Sequence, residues 1–195
     1  MTAWLEWKSH IKKEPKYKER KEFERKQFIE QISKIDPESL IFIDETGINN
    51  NIVTQYGWSK KGFKSYAEQS GFRTQRLNII AGYKRNSNKI IAPFEYKGHT
   101  DSNLFNHWFE HQLLPVLTKG NVVILDNASF HKDPELQSIA EEHGVKIIYL
   151  PPYSPDLNPI EKFWANLKRN IRKIIKNCDN LQEAITKSFT LTLSC

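Results

Sequence analysis

Three acidic side chains stand at positions where a carboxylate can do chemistry. Asp44 and Asp126 each follow four consecutive apolar residues, in LIFIDETG and NVVILDNAS. Glu161 follows the proline-rich stretch LPPYSPDLNPI. Carboxylate oxygens are ligands that Mg²⁺ prefers in proteins. Two such ions about 4 Å apart can activate the attacking oxygen and stabilise the leaving oxygen at a phosphodiester.

Together the three carboxylates predict a two-metal site. We interpret Asp44, Asp126 and Glu161 as catalytic residues and as ligands of two Mg²⁺ ions, for which Mn²⁺ can substitute. Each also has a structural interpretation. Asp44 and Asp126 can accept hydrogen bonds from the turns that follow them. Glu161 matches a capping box in which Asn158 is the N-cap and Pro159 the first helical residue. The combination of all three favours the metal site.

Positive charge is concentrated in two parts of the chain, which indicates a polyanionic partner. The formal net charge is +6, and residues 57–97 and 160–176 are strongly basic. Solubility alone is the competing explanation. On the predicted last-but-one helix, Lys168 and Arg172 share the face of Glu161, where they can hold a phosphate backbone. The predicted DNA contacts from these two regions are Trp58, Lys60, Lys61, Arg73, Lys168 and Arg172.

Composition excludes several classes of protein. The chain has 195 residues, of which 38% are hydrophobic, so it is long enough to bury a core. No apolar run of about 18 residues is present, and the charged N-terminus lacks the apolar stretch of a secretory signal. Two cysteines provide neither a disulfide framework nor a zinc site. These features predict a cytoplasmic protein with no membrane contact.

The pattern of apolar residues predicts the elements that position the carboxylates. Residues 1–38 read as a charged helical linker arm, and residues 39–195 as the catalytic domain. An antiparallel meander followed by helix–strand alternation predicts an α/β fold, with one mixed central sheet flanked by helices. The predicted strands cover 40–43, 52–58, 75–83, 89–96, 122–125 and 145–150; the predicted helices cover 18–35, 102–117, 134–143, 159–177 and a last segment from 181.

Three sequence blocks resemble a known family. FIDETG, ILDNASFHK and LPPYSPDLNPIEKFWANLKR look like the catalytic blocks of DDE transposases of the IS630/Tc1/mariner superfamily, in particular the bacterial IS630 branch. The 34 residues between Asp126 and Glu161 are typical of that superfamily. The resemblance implies an RNase H-like fold and Asp44, Asp126 and Glu161 as metal ligands. It also implies an activity that cuts transposon ends and joins them to target DNA.

The second block of the resemblance adds two residues. Asn127 is expected to orient the loop of Asp126. His131 is expected either to contact a DNA phosphate or to pack beneath the site. Full-length family members carry a helix-turn-helix region ahead of the catalytic domain, whereas Met1 falls in what resembles the linker. We therefore expect a separately encoded helix-turn-helix half as a partner, together with DNA and a possible second copy of the chain.

Two other functions compete with transposition. One is a non-catalytic DNA-binding remnant that keeps the fold, and the other is an RNase H-like nuclease without strand transfer. A glycosidase with two carboxylates is a more distant alternative, because the basic regions would then have no purpose. Metal-dependent cleavage separates the first alternative from a transposase, and joining of pre-cut ends separates the second.

Overall fold

A computed structural model describes residues 18–49, 63–64, 66 and 76–193, and this part of the chain contains five strands and five α-helices. The strands are β1 (Leu40–Asn49), β2 (Arg76–Lys84), β3 (Lys89–Tyr96), β4 (Val122–Leu125) and β5 (Lys146–Tyr149). The helices are α1 (Glu22–Ser33), α2 (Ser102–Trp108), α3 (Pro134–Glu142), α4 (Ile160–Ile174) and α5 (Leu181–Leu193).

The five strands form one mixed sheet in the order β3-β2-β1-β4-β5. β3, β2 and β1 pair antiparallel, whereas β1, β4 and β5 pair parallel. The hairpin between β2 and β3 turns at Asn88, which has a positive φ of 51°. The predicted meander followed by parallel strands is therefore confirmed.

Helices cover both faces of the sheet, and each face has its own apolar core. Alternation along β1 points Phe42 to the face covered by α1, α4 and α5, and Ile43 to the face covered by α2 and α3. Trp164 of α4 is 2% exposed and Trp108 of α2 is 1% exposed, each within one of these cores. The result is a three-layer arrangement of helices, sheet and helices.

The first strand is longer than the sequence predicted. The prediction ended it at Asp44, but β1 continues to Asn49 because β2 pairs with it along that whole length. β4 pairs only with the first part of β1, through Phe42 and Ile124. Asp44 therefore lies inside a strand that has a partner on one side and an open edge on the other.

The predicted helix over 102–117 is only partly regular. Asp101 caps α2 by accepting a hydrogen bond from the Leu104 amide at 2.9 Å. After Trp108 the chain continues as a π-helical turn and then a 3-10 turn. Pro115 explains the change, because it lacks an amide proton and its ring clashes with the preceding helical turn.

Helix α1 is shorter than predicted, and it belongs to the main core. Phe28 is 4% exposed within the same apolar cluster as α4 and α5. The predicted strand over 52–58 lies outside the described residues. Among the described helices, none is both long and apolar enough to cross a membrane.

The contribution of α1 to the core can be measured with two variants of one helix. Phe28→Ala should lower the free energy of unfolding by about 3–5 kcal/mol, because it leaves a cavity in the core. Phe23 is 73% exposed on the same helix, so Phe23→Ala should change stability by no more than about 0.5 kcal/mol. Urea unfolding followed by circular dichroism measures both. Equal effects of the two substitutions would contradict the burial of Phe28.

Candidate active site

The three predicted carboxylates line one cleft. The cleft has a volume of about 400 Å³ and lies at the edge of the sheet where β4 and β5 end. Asp44, Asp126 and Glu161 face it from β1, from the end of β4 and from the first turn of α4. The rest of its lining comes from the loop after Asp126 and the loop before α4: Asn127, Ala128, Leu150, Pro151, Pro152, Tyr153, Ser154, Pro155 and Asn158.

Strand register brings the two aspartates side by side. Leu40 pairs with Val122 and Phe42 with Ile124 in the parallel ladder. Continuing this register by two residues places Asp126 level with Asp44. Because strand side chains alternate between faces, both carboxylates share the face of Phe42, which is the face that α4 covers. Glu161 at the start of α4 completes the group.

Asp44 lies in a strongly unfavourable electrostatic environment. Burial, followed by the neighbouring charges of Glu161, Glu45 and Asp126, raises its pKa from 3.8 to about 8. A hydrogen bond from the Glu45 backbone acts in the opposite direction without balancing these effects. In the chain alone, Asp44 is therefore mostly protonated at neutral pH, and a bound cation would favour its ionised form.

Asp126 is held by its own loop and by His131. Its Oδ1 accepts a hydrogen bond from the Ala128 amide at 2.9 Å and lies 2.7 Å from His131 Nδ1. Burial raises the pKa of Asp126, but these two contacts outweigh burial and lower it below its usual value. The predicted turn contact is thus present. Both contacts fall on Oδ1, so they leave Oδ2 as the oxygen that can turn to the cleft.

His131 packs beneath the site. It is 0% exposed, with its ring 4.3 Å from those of both Phe105 and Phe130. Its Nε2 lies 3.1 Å from Oε1 of Glu45, so it bridges Asp126 and Glu45. Burial lowers its pKa, but the hydrogen bonds to the two carboxylates raise it to about 9. Of the two expectations for His131, its full burial favours packing beneath the site over contact with a DNA phosphate.

The predicted capping box at Glu161 is not formed. α4 begins at Ile160 with Pro159 as its N-cap residue, and no side chain caps it. The Asn158 side chain instead donates to the carbonyl of Ile43 at 3.4 Å, because the loop packs against β1. Glu161 is exposed at the cleft, where partial burial raises its pKa and the charge of Lys168 opposes that rise. Its carboxylate is not engaged in capping the helix.

The proline-rich loop is fixed from both sides of the cleft. Asn127 donates its side-chain amide to the carbonyl of Leu150 at 2.6 Å, which ties the Asp126 loop to the end of β5. This contact supports the expectation that Asn127 orients that loop. Tyr153 adopts a left-handed conformation, with φ of 53°, between Pro152 and Ser154. Such strain in a non-glycine residue persists only where the surrounding structure enforces it.

Positive side chains stand beside the carboxylates. Lys168 is half-buried; burial lowers its pKa, whereas the charges of Glu161 and Asp44 act to raise it. Arg172 and Arg76 are close enough to lower the pKa of Lys168 further. The predicted placement of Lys168 and Arg172 on the Glu161 side of α4 therefore matches the structure. Trp58, Lys60, Lys61 and Arg73 lie outside the described residues.

Sequence reasoning missed two residues near the site. Glu45 is the second partner of His131, but only its neighbour Asp44 was predicted as a site residue. Arg76 lies on β2, and its guanidinium group lies against Gly47 of β1. Any side chain at residue 47 would collide with that group. A glycine in a strand often marks such a close approach, so Gly47 was the available signal.

The carboxylates suit a hard divalent cation by chemistry, although the site is not preassembled. In the described part of the chain, no group of three or more His, Cys, Asp or Glu side chains is arranged to hold a metal ion. The side-chain donors that line the cleft are nevertheless mainly oxygens, three of them carboxylates and none from His or Cys, which is the donor type that Mg²⁺ prefers. The raised pKa of Asp44 shows that negative charge there lacks compensation. The residues therefore fit a divalent cation.

Comparison with known proteins identifies the family. The family model described as DDE superfamily endonuclease matches residues 39–182, which is most of the chain. The chain belongs to the DDE superfamily of endonucleases. A curated relative of this DDE endonuclease, the uncharacterized protein y4pE/y4sA of Sinorhizobium fredii, is 36% identical over 62 residues. These residues cover 31% of the chain and 44% of the relative.

Solved structures resemble the DDE endonuclease in fold. The Mos1 strand transfer complex matches with a TM-score of 0.62 at 12% identity, over 95% of this chain and 64% of that one. The Mos1 transposase paired-end complex with the left transposon end matches with a TM-score of 0.60 at 12% identity, over 96% of this chain and 65% of that one. The chain thus spans less than two thirds of these proteins. The predicted RNase H-like fold and the DDE assignment are confirmed.

The unusual pKa of Asp44 predicts how pH changes the stability of the metal-free chain. Between pH of about 4 and about 8, the folded chain holds a proton on Asp44 that the unfolded chain releases, so the free energy of unfolding falls as pH rises. The Asp44→Asn variant has no carboxyl group at this position, so its stability lacks this dependence on pH. We therefore expect the free energy of unfolding of Asp44→Asn, relative to that of the parent, to rise by on the order of a few kcal/mol from pH 5 to pH 8.

Urea unfolding in the presence of a chelator, at both pH values, measures this difference. The other groups of the cleft titrate in both proteins, so the difference reports the titration of Asp44 together with its coupling to the neighbouring carboxylates. A difference between the two proteins that stays constant from pH 5 to pH 8 would show that Asp44 has an ordinary pKa.

Proposed function

We propose that this chain is the catalytic domain of a DNA transposase. It would cut phosphodiester bonds at transposon ends and then join the freed ends to target DNA. The observation that carries the proposal is the meeting of Asp44, Asp126 and Glu161 in one cleft of a DDE endonuclease. The similarity in fold to Mos1 transposase supports it.

Asp44, Asp126 and Glu161 would hold two Mg²⁺ ions, for which Mn²⁺ can substitute. Asp44 interacts electrostatically with both of the other carboxylates, so a cation bound there would relieve the repulsion within the group. When bound, the ions supply activation of the attacking oxygen and stabilisation of the leaving oxygen.

The protein groups around the carboxylates position them and balance their charge. His131 keeps Asp126 in one rotamer through Oδ1, and Glu45 keeps the His131 ring in place. Lys168 supplies positive charge beside Glu161 and Asp44. Fixed positions matter because a phosphoryl reaction gains mostly from orientation and electrostatic stabilisation.

DNA would lie over the cleft with its phosphates against the basic side of α4. Lys168 stands beside Glu161 and Asp44, and Arg172 lies close to Lys168, so the two side chains would neutralise phosphates near the scissile bond. In the first reaction, water attacks the phosphodiester at the element end and releases a 3′-hydroxyl. In the second, this hydroxyl would attack a phosphodiester of the target DNA, form a new bond to its phosphorus and displace a 3′-hydroxyl of the target strand.

The partners of the domain follow from the same proposal. Pairing of two element ends would require a second copy of the chain. Recognition of the ends would require a helix-turn-helix half, and the bacterial cytoplasm would be the place of action. Co-purification with DNA carrying terminal repeats tests these partners.

The central prediction concerns Glu161 and Asp126. Glu161→Gln and Asp126→Ala should each lower nicking of supercoiled DNA in Mg²⁺ or Mn²⁺ by on the order of 100-fold or more, because each removes a negatively charged ligand. Glu161→Gln should keep most of the stability, since Glu161 does not cap α4. Glu142→Gln, an exposed change on α3, is the matched control and should nick like the parent. Equal nicking by Asp126→Ala and the parent would remove Asp126 from the mechanism.

Two further assays separate the competing functions. Joining of pre-cut ends to a target plasmid distinguishes a transposase from a nuclease without strand transfer. A remnant that only binds DNA would retain affinity in every variant and would show no metal-dependent nicking in the parent.

The DNA contacts can be tested through the salt dependence of binding. Lys168→Gln and Arg172→Gln should each weaken binding and reduce the slope of log affinity against log salt by about one, because each removes one phosphate contact. Lys119→Gln is the control, since Lys119 is exposed ahead of β4, at the opposite end of that strand from Asp126. Fluorescence anisotropy of a labelled duplex measures all three. Unchanged slopes in the α4 variants would place the DNA elsewhere.

A further inference from the structure

Helix α1 lies outside the family match, which begins at residue 39, yet it contacts the loop that leads to Glu161. Nη1 of Arg25 donates to Oδ1 of Asp156 at 3.1 Å, and Nη2 donates to Oδ2 at 2.8 Å. Arg20 adds a third contact, from its Nη2 to Oδ2 at 3.3 Å. Arg20 and Arg25 therefore bind a single carboxylate that lies more than 130 positions away in the sequence.

The Arg25–Asp156 pair is built for orientation. The Arg25 side chain is 8% exposed, so its charge needs the partner that Asp156 provides. Two parallel hydrogen bonds between a guanidinium and a carboxylate fix direction as well as distance. The hydrogen bond from Arg25 is the main reason why the pKa of Asp156 lies below its usual value, so the pair remains ionised at neutral pH.

The short segment between Asp156 and Glu161 is conformationally restricted. It lies in the 3-10 turn Pro155–Leu157, between cleft-lining Pro155 and Asn158. The Leu157 amide bonds to the Ser154 carbonyl at 3.0 Å, and the Glu161 amide bonds to the Asn158 carbonyl at 3.2 Å. Pro155 and Pro159 further restrict this segment. Holding Asp156 therefore holds the start of α4.

The same helix also borders the loop of the second aspartate. Gln27 and Gln31 of α1 share a cavity of about 240 Å³ with Asn127, which follows Asp126, and with Pro151. α1 thus faces both loops that carry acidic residues at the cleft.

We propose that α1 is a positioning element of the active site, in which Arg25 acts through Asp156 to hold the loop that carries Glu161. The role in catalysis rests on the proposed function, whereas the role in ordering the loop does not. The functional unit then begins ahead of residue 39.

Two substitutions that remove opposite partners test the proposal. Arg25→Gln and Asp156→Asn should each speed hydrogen exchange at the amides of Leu157, Asn158 and Glu161. Both should also raise the Mg²⁺ concentration for half-maximal nicking by about tenfold, as expected for residues that orient metal ligands. The double variant should be no worse than Asp156→Asn alone, because Asp156→Asn already disrupts the contact that Arg25→Gln removes.

A matched control comes from the residue that follows α1. Lys34→Gln also removes one positive charge, and it breaks the exposed Lys34–Glu30 ion pair of 2.8 Å without touching the loop. It should leave both exchange and Mg²⁺ dependence as in the parent. Asp156 is half-exposed, so Asp156→Asn keeps the test valid even if Arg25→Gln unfolds the chain.

The outcomes separate the positioning role from the catalytic proposal. Exchange at the three amides that is the same in Asp156→Asn and Lys34→Gln overturns the positioning role. Faster exchange with an unchanged Mg²⁺ dependence overturns its link to the metal site. If the parent chain does not nick DNA at all, the proposed function fails, while the exchange result still decides whether Arg25 orders the loop.

Discussion

The parallel register between β1 and β4 is the constraint on which the site depends. It sets Asp126 level with Asp44 and turns both carboxylates to the face where α4 begins. A slip of one residue in either strand would send one aspartate to the opposite face of the sheet. The apolar residues that precede each aspartate prevent that slip, because they are buried alternately in two different cores. The hydrophobic core therefore specifies the relative positions of the two aspartates at the cleft.

The cost of this geometry is a concentration of like charge, which the surrounding side chains only partly balance. His131 compensates Asp126 and Glu45 from below, and its burial between aromatic rings keeps water away from both contacts. Lys168 balances Glu161 from the side. Asp44 lies between these groups and has the most strongly raised pKa of the carboxylates. The imbalance of charge is concentrated at Asp44, and strongly perturbed carboxylates of this kind cluster at functional sites.

Local patterns predicted most of the fold and the three carboxylates, whereas long-range polar contacts escaped prediction. Apolar runs indicated β1 and β4, and the proline-rich block indicated the start of α4 within one residue. The prediction failed at Pro115, whose effect on the helix was overlooked, and at Asn158, whose side chain bonds to β1 rather than to its own helix. The contact between Arg25 and Asp156 left no local signal, because each residue looks like an ordinary surface charge in its own segment.

Asp44 shows why such a site leaves a trace in the sequence. Its position on β1 has the same alternation as Phe42 and Ile48, both of which are buried against the helices of one face. An apolar residue would satisfy the core there, so an aspartate breaks the local rule at a cost in stability. The strand tolerates it because β4 has ended and β2 alone holds that part of β1 in place. Because β4 does not extend alongside Asp44, the Asp44 carboxylate faces the cleft. The end of β4 therefore explains why an aspartate can occupy this core position and why it lines the cleft.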